Sequence, residues 1–183
     1  GSSLVSVSMS VYKLAWGFCK FHAIPADGYS FDAWYTNPAC TSGKQTGSTY
    51  QTDDTGSNRT DQYYAKFTPN KYTVTFDPQG GSVGTTTSKV TFDAEYGAGT
   101  GGWPTPTRPD YTFVGWYTYG GTKIESSTIY KQTQNQTLYA HWEQNYTIRF
   151  NGNGSTSGSM SNMSMTHGTA KSLTTNAFTR QYT

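Results

Sequence analysis

Two copies of one short stretch decide the fold of this chain: YSFDAWYT at residues 29–36 and YTFVGWYT at residues 111–118. Aromatic residues alternate with polar ones at the start of both copies, and this period of two is typical of a half-buried β-strand. Further along, YYAKF at residues 63–67 returns as LYAHW at residues 138–142. Such recurrence indicates an array of small domains, and arrays provide reach, avidity and spacing more often than catalysis.

A third repeated motif marks the start of a unit, since YTVTF at residues 72–76 returns as YTIRF at residues 146–150. These repeated motifs divide the chain into a divergent repeat at residues 4–67, a complete repeat at residues 72–143 and the N-terminal half of a third repeat at residues 146–183. Half of a β-domain leaves strand edges unpaired. We therefore expect that the natural chain continues, or that another chain supplies the missing strands.

The connection between the first two units is predicted to be short. Only Thr68, Pro69, Asn70 and Lys71 separate the two units, and so short a linker, stiffened by proline, does not let neighbouring domains tumble freely. The chain is therefore predicted to form tandem small domains arranged as beads on a string.

Composition indicates strands joined by turns. The 183 residues include 15 Tyr, 5 Trp, 9 Phe and 20 Gly, and no long apolar stretch has the helical period of 3.6. The predicted fold class is mainly β, or α+β at most. A net charge of +2, with 13% charged residues, is too weak to indicate nucleic-acid binding or an anionic membrane surface. No segment has the length and apolarity that membrane insertion requires.

The second unit carries a longer pattern of residues. Its opening strand and turn read Tyr-x-Val-x-Phe-Asp-x-x-Gly-Gly from Tyr72, WPTPTRPDYTFVGW follows at residues 103–116, and TLYAHW closes the unit at residues 137–142. In this order and spacing the chain resembles the Listeria–Bacteroides repeat, the B-repeat of internalin-type bacterial surface proteins. The third unit resembles the first half of that repeat. The first unit is similar to a divergent copy, with Ala33 where glycine is usual.

The resemblance implies a small β-grasp (ubiquitin-like) domain for each unit. It also implies a place in long, secreted or wall-attached bacterial proteins that resemble adhesins and serve virulence. Repeats of this family act as stalks and interaction modules, so the resemblance brings no catalytic residue and no cofactor to this chain.

The titratable residues do not indicate an active site or a metal site. Two pairs of carboxylates, Asp53 with Asp54 and Asp93 with Glu95, do not recur between units, whereas glycoside hydrolysis needs two carboxylates held about 5–10 Å apart across a cleft. The histidines fall in three different units: His22, His141 and His167. The chain is therefore predicted not to be an enzyme and to have no catalytic, cofactor-binding or metal-ligating residues.

The two cysteines, Cys19 and Cys40, both lie in the first unit. A disulfide between them would close a loop of about 20 residues and stabilise the unit by roughly 3 kcal/mol in the loop-entropy model. The alternative is two free, buried thiols. We predict the disulfide, because the rest of the chain has the character of an extracellular protein.

Recurrent and non-recurrent aromatic residues receive different interpretations. Trp34 and Trp116 occupy the same motif position, and a residue that every unit needs is more often core than ligand-binding. A strict period of two also predicts that Trp34 shares a strand face with Asp32, opposite Phe31. The aromatic residues without an equivalent are the candidates for a surface contact: Trp16, Trp103, Tyr117 and Tyr119.

The leading hypothesis is a non-catalytic, extracellular repeat segment at a bacterial cell surface or cell wall, acting as a stalk and as an adhesion or protein-interaction module. One alternative is a glycan-binding module, which requires two or more exposed, coplanar aromatic rings on one face. Another is a filament or assembly subunit completed by strands from another chain. The expected partner is a surface protein or glycan of a host or neighbouring cell, or another copy of the chain, without nucleic acid and without membrane insertion.

Overall fold

The computed structural model describes residues 8–13, 19–51 and 62–181, with residues 8–13 and Cys19 as backbone alone. Within these ranges the regular elements are β-strands, apart from one short 3₁₀ turn at Tyr96–Ala98. The prediction of a mainly β fold is therefore confirmed. The strands are β1 Ser8–Lys13, β2 Cys19–Ile24, β3 Tyr29–Tyr35, β4 Thr49–Gln51, β5 Tyr64–Pro69, β6 Lys71–Asp77, β7 Thr87–Thr91, β8 Tyr111–Tyr117, β9 Lys123–Ile124, β10 Gln136–Ile148 and β11 Met163–Thr166.

The second unit is built on one mixed sheet with the strand order β7-β6-β10-β8-β9. Neighbouring strands in this order are antiparallel except at the centre, where β6 and β10 run parallel with Val74 beside Gln136 and Asp77 beside Tyr139. Side chains of β6 alternate between the two faces of the sheet, because Val74 and Phe76 are buried whereas Thr75 between them is exposed. The first and last long strands of the unit are therefore neighbours.

The segment between β7 and β8 covers one face of this sheet and closes the core. It contains the 3₁₀ turn and the proline-rich run, and the carbonyl of Pro104 accepts a hydrogen bond of 2.8 Å from the indole Nε1 of Trp116.

The segment between β9 and β10 also contributes to the core through Tyr130. Burial raises the pKa of Tyr130 to about 12, and the Tyr130 hydroxyl donates to the carbonyl of Gln134 at 2.6 Å. The buried core comprises Val74, Phe76, Val90, Tyr96, Trp116, Ile124, Tyr130, Leu138 and Ala140.

The first unit repeats one strand pair of the second unit residue for residue. In the β3–β5 pair Phe31 faces Phe67 and Trp34 faces Ala65, with a bulge between these positions. The β8–β10 pair has the same register shift, with one bulged residue between Phe113 and Gly115. Ring contacts repeat as well, since the centroids of Phe31 and Trp34 lie 5.6 Å apart and those of Phe113 and Trp116 lie 5.4 Å apart.

The predicted faces of β3 are wrong after the bulge that lies between Phe31 and Ala33. One extra residue on the bulged strand shifts every later side chain to the other face. Trp34 therefore lies on the same side as Phe31, not on the side of Asp32, because Phe67 and Ala65, which face Phe31 and Trp34, are two residues apart on β5. Trp34 and Trp116 are both buried, as their recurrence predicts.

The remaining strands of the first unit form a separate antiparallel sheet in the order β1-β2-β4. Phe21 on β2 connects this sheet to the β3–β5 pair, because its ring centroid lies 6.3 Å from that of Trp34 and 6.0 Å from that of Tyr63. The indole Nε1 of Trp34 is buried and has no hydrogen-bond partner among the residues that the structure describes. In this respect the first unit differs from the second, where Pro104 accepts the equivalent bond.

The connection between the first two units is shorter than the predicted four residues. Strand β5 ends at Pro69 and β6 begins at Lys71, so Asn70 alone separates two strands of different units. At the next boundary β10 continues without interruption from the second unit to Ile148, where its last residues pair with β11. Neighbouring units are therefore joined through strands rather than through a flexible segment.

Candidate functional site

Four aromatic side chains meet on the outer face of the central sheet, opposite the core. Tyr117 on β8 pairs with Tyr139 on β10, and His141 lies two residues further along β10. The rings of Tyr117 and His141 stack with centroids 3.9 Å apart and planes 13° apart. Tyr119, which is 93% exposed, contacts Tyr139 edge to face at 6.3 Å. We call Tyr117, Tyr119, Tyr139 and His141 the aromatic face.

Strand alternation explains why these rings point outward. Leu138 and Ala140 fill the core, so Tyr139 and His141, which alternate with them, emerge on the other side. Gly115 is the residue directly opposite His141, and without a side chain it leaves room for the stack with Tyr117. A Cβ atom at Gly115 would lie 2.5 Å from Cε of Lys123, so the glycine also admits the aliphatic part of that lysine.

One ion pair borders the aromatic face. Nζ of Lys123 lies 2.9 Å from a carboxylate oxygen of Glu125, and this contact raises the pKa of Lys123. Both side chains are largely exposed, and an exposed pair of this kind stabilises a protein only slightly. The face is thus a set of aromatic rings with polar tips, a composition typical of protein interfaces.

The equivalent surface of the first unit carries charges instead. Tyr35 occupies the position of Tyr117, and Lys66 occupies that of His141. Asp32, the bulged residue, accepts a hydrogen bond from Lys44 at 3.1 Å and lies 3.6 Å from Nζ of Lys66. The hydrogen bond from Lys44 is the main cause that lowers the pKa of Asp32. The first unit thus keeps tyrosines at the positions of Tyr117 and Tyr139, namely Tyr35 and Tyr64, but the stacked pair of Tyr117 and His141 is specific to the second unit.

The structure brings together two of the four predicted contact residues. Tyr117 and Tyr119 both belong to the aromatic face, whereas Trp16 lies outside the described residues. Trp103 packs against the core, with its ring centroid 5.7 Å from that of Phe76 and 6.1 Å from that of Tyr96. This packing explains Trp103 without a surface contact.

Sequence reasoning missed the two members of the aromatic face on β10. Both residues belong to LYAHW, which recurs in the first unit, so neither counts as an aromatic residue without an equivalent. The alternation of Leu138 and Ala140 with these two residues was the signal that could have identified them.

The other candidate residues do not converge. His22 lies 3.3 Å from the hydroxyl of Thr49, and Asp93 forms an ion pair with Lys131. In the described ranges no three His, Cys, Asp or Glu residues are grouped so that they could hold a metal ion. The pair Asp53 and Asp54 falls outside those ranges. Nor does any helix of the described chain have the length and apolarity to cross a membrane.

Cys40 is half-buried and forms no disulfide with a side chain that the structure describes. The backbone φ of Cys40 is 52°, and its Sγ lies 3.8 Å from the carbonyl oxygen of Pro38. The side chain of Cys19 is outside the description, so the disulfide between Cys19 and Cys40 stays a prediction.

Comparison with known proteins gives both a family and relatives. The family model of the Listeria-Bacteroides repeat domain matches residues 21–56 and 72–141. Internalin H of Listeria monocytogenes serovar 1/2a is 36% identical over 124 residues, which are 65% of this chain and 20% of internalin H. A protein of Evansella cellulosilytica, whose name describes a Gly-rich membrane protein, is 34% identical over 137 residues, which are 73% of this chain and 15% of that protein. No solved structure matches the chain.

The chain thus spans a fifth or less of the length of these two relatives. The two matched segments cover more than half of its residues and contain β3 and β8, the strands that carry the recurrent tryptophans. The resemblance inferred from the repeated motifs is therefore confirmed, and the chain belongs to the Listeria-Bacteroides repeat family.

Proposed function

We propose that the chain is a non-catalytic segment of an extracellular bacterial protein, attached to the cell surface or cell wall, and that it acts as a stalk with adhesive contacts. The observation that carries this proposal is the recurrence of one bulged strand pair, with the same register, in two units joined through strands. Relatives named as an internalin and as a membrane protein support a surface-associated or secreted location. A role in adhesion and virulence is part of the proposal.

The topology of the second unit supports a β-grasp-like domain. Its first and last strands, β6 and β10, lie side by side and parallel at the centre, and the connecting segment packs on one face of the sheet. A 3₁₀ turn and a proline-rich run take the place of a helix in this connection. We propose that complete units of this kind follow one another along the natural protein.

The same topology suits a stalk under tension. The chain enters the unit at the start of β6 and leaves it along β10, and these strands are parallel. A pull on the two ends therefore slides the strands along each other and loads all their hydrogen bonds at once. Opening under force is governed by the unfolding rate, which such a geometry keeps low.

The aromatic face is the part of the second unit that we propose to contact another protein. Glycan stacking requires coplanar, exposed rings, but Tyr117 and His141 stack on each other at 3.9 Å, so each covers one face of the other. Tyr119 has its ring largely free. Protein interfaces use tyrosine edges and hydroxyls in this way, which favours a protein of a host or neighbouring cell over a glycan as the partner.

Binding to intact cells tests this contact. We expect Tyr119→Ala combined with Tyr117→Ala to weaken cell binding of the chain by about tenfold or more, the loss typical of hot-spot residues. The matched control is Tyr146→Ala, since Tyr146 is also exposed but lies beyond the aromatic face. Equal binding by the double variant and the control would contradict the proposal. Protease treatment of the cells separates the two partners, because it removes a protein receptor and leaves a glycan.

A further inference from the structure

The two boundaries between successive units are built from the same backbone contact. The amide of Asn70 donates to the carbonyl of Gly28 at 2.8 Å, and the amide of Asn145 donates to the carbonyl of Asp110 at 2.7 Å. The two acceptors have equivalent places, since each is the last residue of the turn before the tyrosine that begins β3 or β8. Both also have a positive φ, 80° at Gly28 and 62° at Asp110.

The asparagine side chains repeat as well. The hydroxyl of Ser30 donates to Oδ1 of Asn70 at 2.5 Å, and the hydroxyl of Thr112 donates to Oδ1 of Asn145 at 2.9 Å. Each asparagine therefore holds the start of the neighbouring strand through both its backbone and its side chain. At the second boundary Thr166 on β11 also donates to Oδ1 of Asn145, at 3.0 Å.

The first hairpin of the following unit also donates a backbone hydrogen bond to each boundary. The amide of Phe92, just after β7, donates to the carbonyl of Asn70 at 2.9 Å, and the amide of His167, just after β11, donates to the carbonyl of Gln144 at 2.8 Å. The two hairpins have matching registers, with Tyr72 opposite Val90 and Tyr146 opposite Met165.

Side chains add a docked surface at the first boundary. The rings of Tyr29 and Phe92 meet edge to face with centroids 5.5 Å apart, and the Tyr29 hydroxyl donates to Asp93 at 2.6 Å. A Cβ atom at Gly28 would lie 2.5 Å from the Phe92 ring, so the glycine allows that ring to lie directly on the backbone of the preceding unit. Lys131 pairs with the same Asp93 carboxylate.

We propose that each unit carries a docking site for the next unit of the same chain, that the boundary asparagine is its latch, and that successive repeats therefore form a stiff rod. The site consists of the turn before β3 or β8, the hydroxyl residue that follows the first tyrosine, and the asparagine after β5 or within β10. Its partner is the first hairpin of the next repeat. The single intervening residue and the shared hydrogen bonds leave none of the freedom that a flexible linker gives.

This inference is independent of what the protein binds, because a rod of docked units could space any distal domain. It does change the mechanical picture of the stalk. Beads on flexible linkers extend by straightening the linkers, whereas docked units transmit orientation from one repeat to the next. Failure of the proposed adhesive role would leave the docking site untouched.

Residual dipolar couplings of the full chain in a weakly aligning medium test the rod. In the parent chain we expect one alignment tensor to fit the amides of β3 and β5 together with those of β6, β7, β8 and β10. In Asn70→Ala combined with Ser30→Ala we expect separate tensors, with the magnitude for the first unit reduced by about a third or more, as for a rigid body that becomes mobile. Asn162→Ala is the control, because Asn162 is exposed and far in the sequence from the first boundary, at which the double variant acts.

The indole N–H signals of Trp34 and Trp116 show whether the units of each variant remain folded. If the double variant loses one of these signals, Asn70→Ala alone replaces it, since that change removes the Oδ1 acceptor of the Ser30 hydroxyl and leaves the backbone contacts in place. Two different tensors in the parent chain overturn the rod. A single tensor that persists in the folded asparagine variant overturns the role of the latch.

Discussion

Two tryptophans at equivalent positions, Trp34 and Trp116, differ in one hydrogen bond. Both are almost completely buried, but the Nε1 of Trp116 donates to Pro104 whereas the Nε1 of Trp34 has no acceptor in the described chain. A buried donor without a partner costs free energy that a paired donor does not. The recurrent ring is thus a shared core element, and its polar atom is satisfied only where the proline-rich crossover exists.

Replacing each tryptophan by phenylalanine separates ring packing from the hydrogen bond. Both changes leave a cavity, but Trp116→Phe also leaves the Pro104 carbonyl unpaired, so we expect it to cost about 1–3 kcal/mol more than Trp34→Phe. Urea unfolding followed by NMR signals of each unit measures the two losses separately. Equal losses would show that the Pro104 bond does not stabilise the fold.

The Asp93 carboxylate makes the first boundary sensitive to acid. Its hydrogen bond from Lys131, and next the one from Tyr29, lower the pKa of Asp93 below its ordinary value of 3.8. A lowered pKa in the folded state means that the contact is complete above pH 3.8 and is lost as the pH falls through the lower value. We expect the chemical shifts of Phe92 to follow this loss in an NMR titration from pH 6 to pH 2.

Two variants test whether the Asp93 carboxylate causes that titration. In Asp93→Asn the acid-dependent shift of Phe92 should disappear, while Asp27→Asn, which changes an exposed carboxyl of the first unit, should leave it in place. An unchanged titration in Asp93→Asn would contradict the assignment.

Among the elements, β10 is the one on which the second unit depends most. It is paired with β6 on one side and β8 on the other, and beyond residue 143 it pairs with β11. Leu138, near the start of this strand, is completely buried. We expect Leu138→Ala to destabilise the second unit by about 2–5 kcal/mol, the usual cost of deleting a buried leucine.

Urea unfolding of the second unit measures this cost, and Leu173→Ala provides the control because Leu173 is largely exposed. The first unit should keep its stability in both variants, since its strand pair has its own aromatic cluster around Trp34. A loss below about 1 kcal/mol at Leu138 would be typical of a surface position.

Strand positions were predictable from the sequence where the pattern is local. Alternation predicted β3 at Tyr29–Tyr35, which is where the structure has it. Alternation did not reveal the bulge at Asp32, because an extra residue interrupts the very period on which the prediction relies. It also ended β10 at Trp142, since the strand continues only by pairing with the distant β11.

The candidate site was predictable in part for the same reason. Tyr119 has no equivalent in the first unit, but Tyr35 occupies the position of Tyr117, so the absence of an equivalent identifies only Tyr119. Tyr139 and His141 belong to the recurring motif LYAHW, in which they alternate with the buried residues Leu138 and Ala140. Recurrence therefore identifies a strand, and alternation within that strand identifies which side chains are free to bind.

At the scale of the whole molecule, we propose that the units carry load from end to end. Each boundary passes directly from strand to strand, through Asn70 in one case and within β10 in the other. Charges cover the outer face of the first unit and aromatic rings cover that of the second. A shared scaffold with differing outer faces suits a stalk whose individual repeats make different contacts.

Pulling the second unit in two directions tests this account most directly. Force applied at Lys71 and Glu143 shears the parallel pair β6–β10, whereas force applied at Lys71 and Thr91 opens the antiparallel pair β6–β7 one residue at a time. We expect a clearly higher unfolding force for the first direction, at equal loading rate, because all bonds of the parallel pair must break together. Equal forces, or a higher force between Lys71 and Thr91, would contradict the stalk.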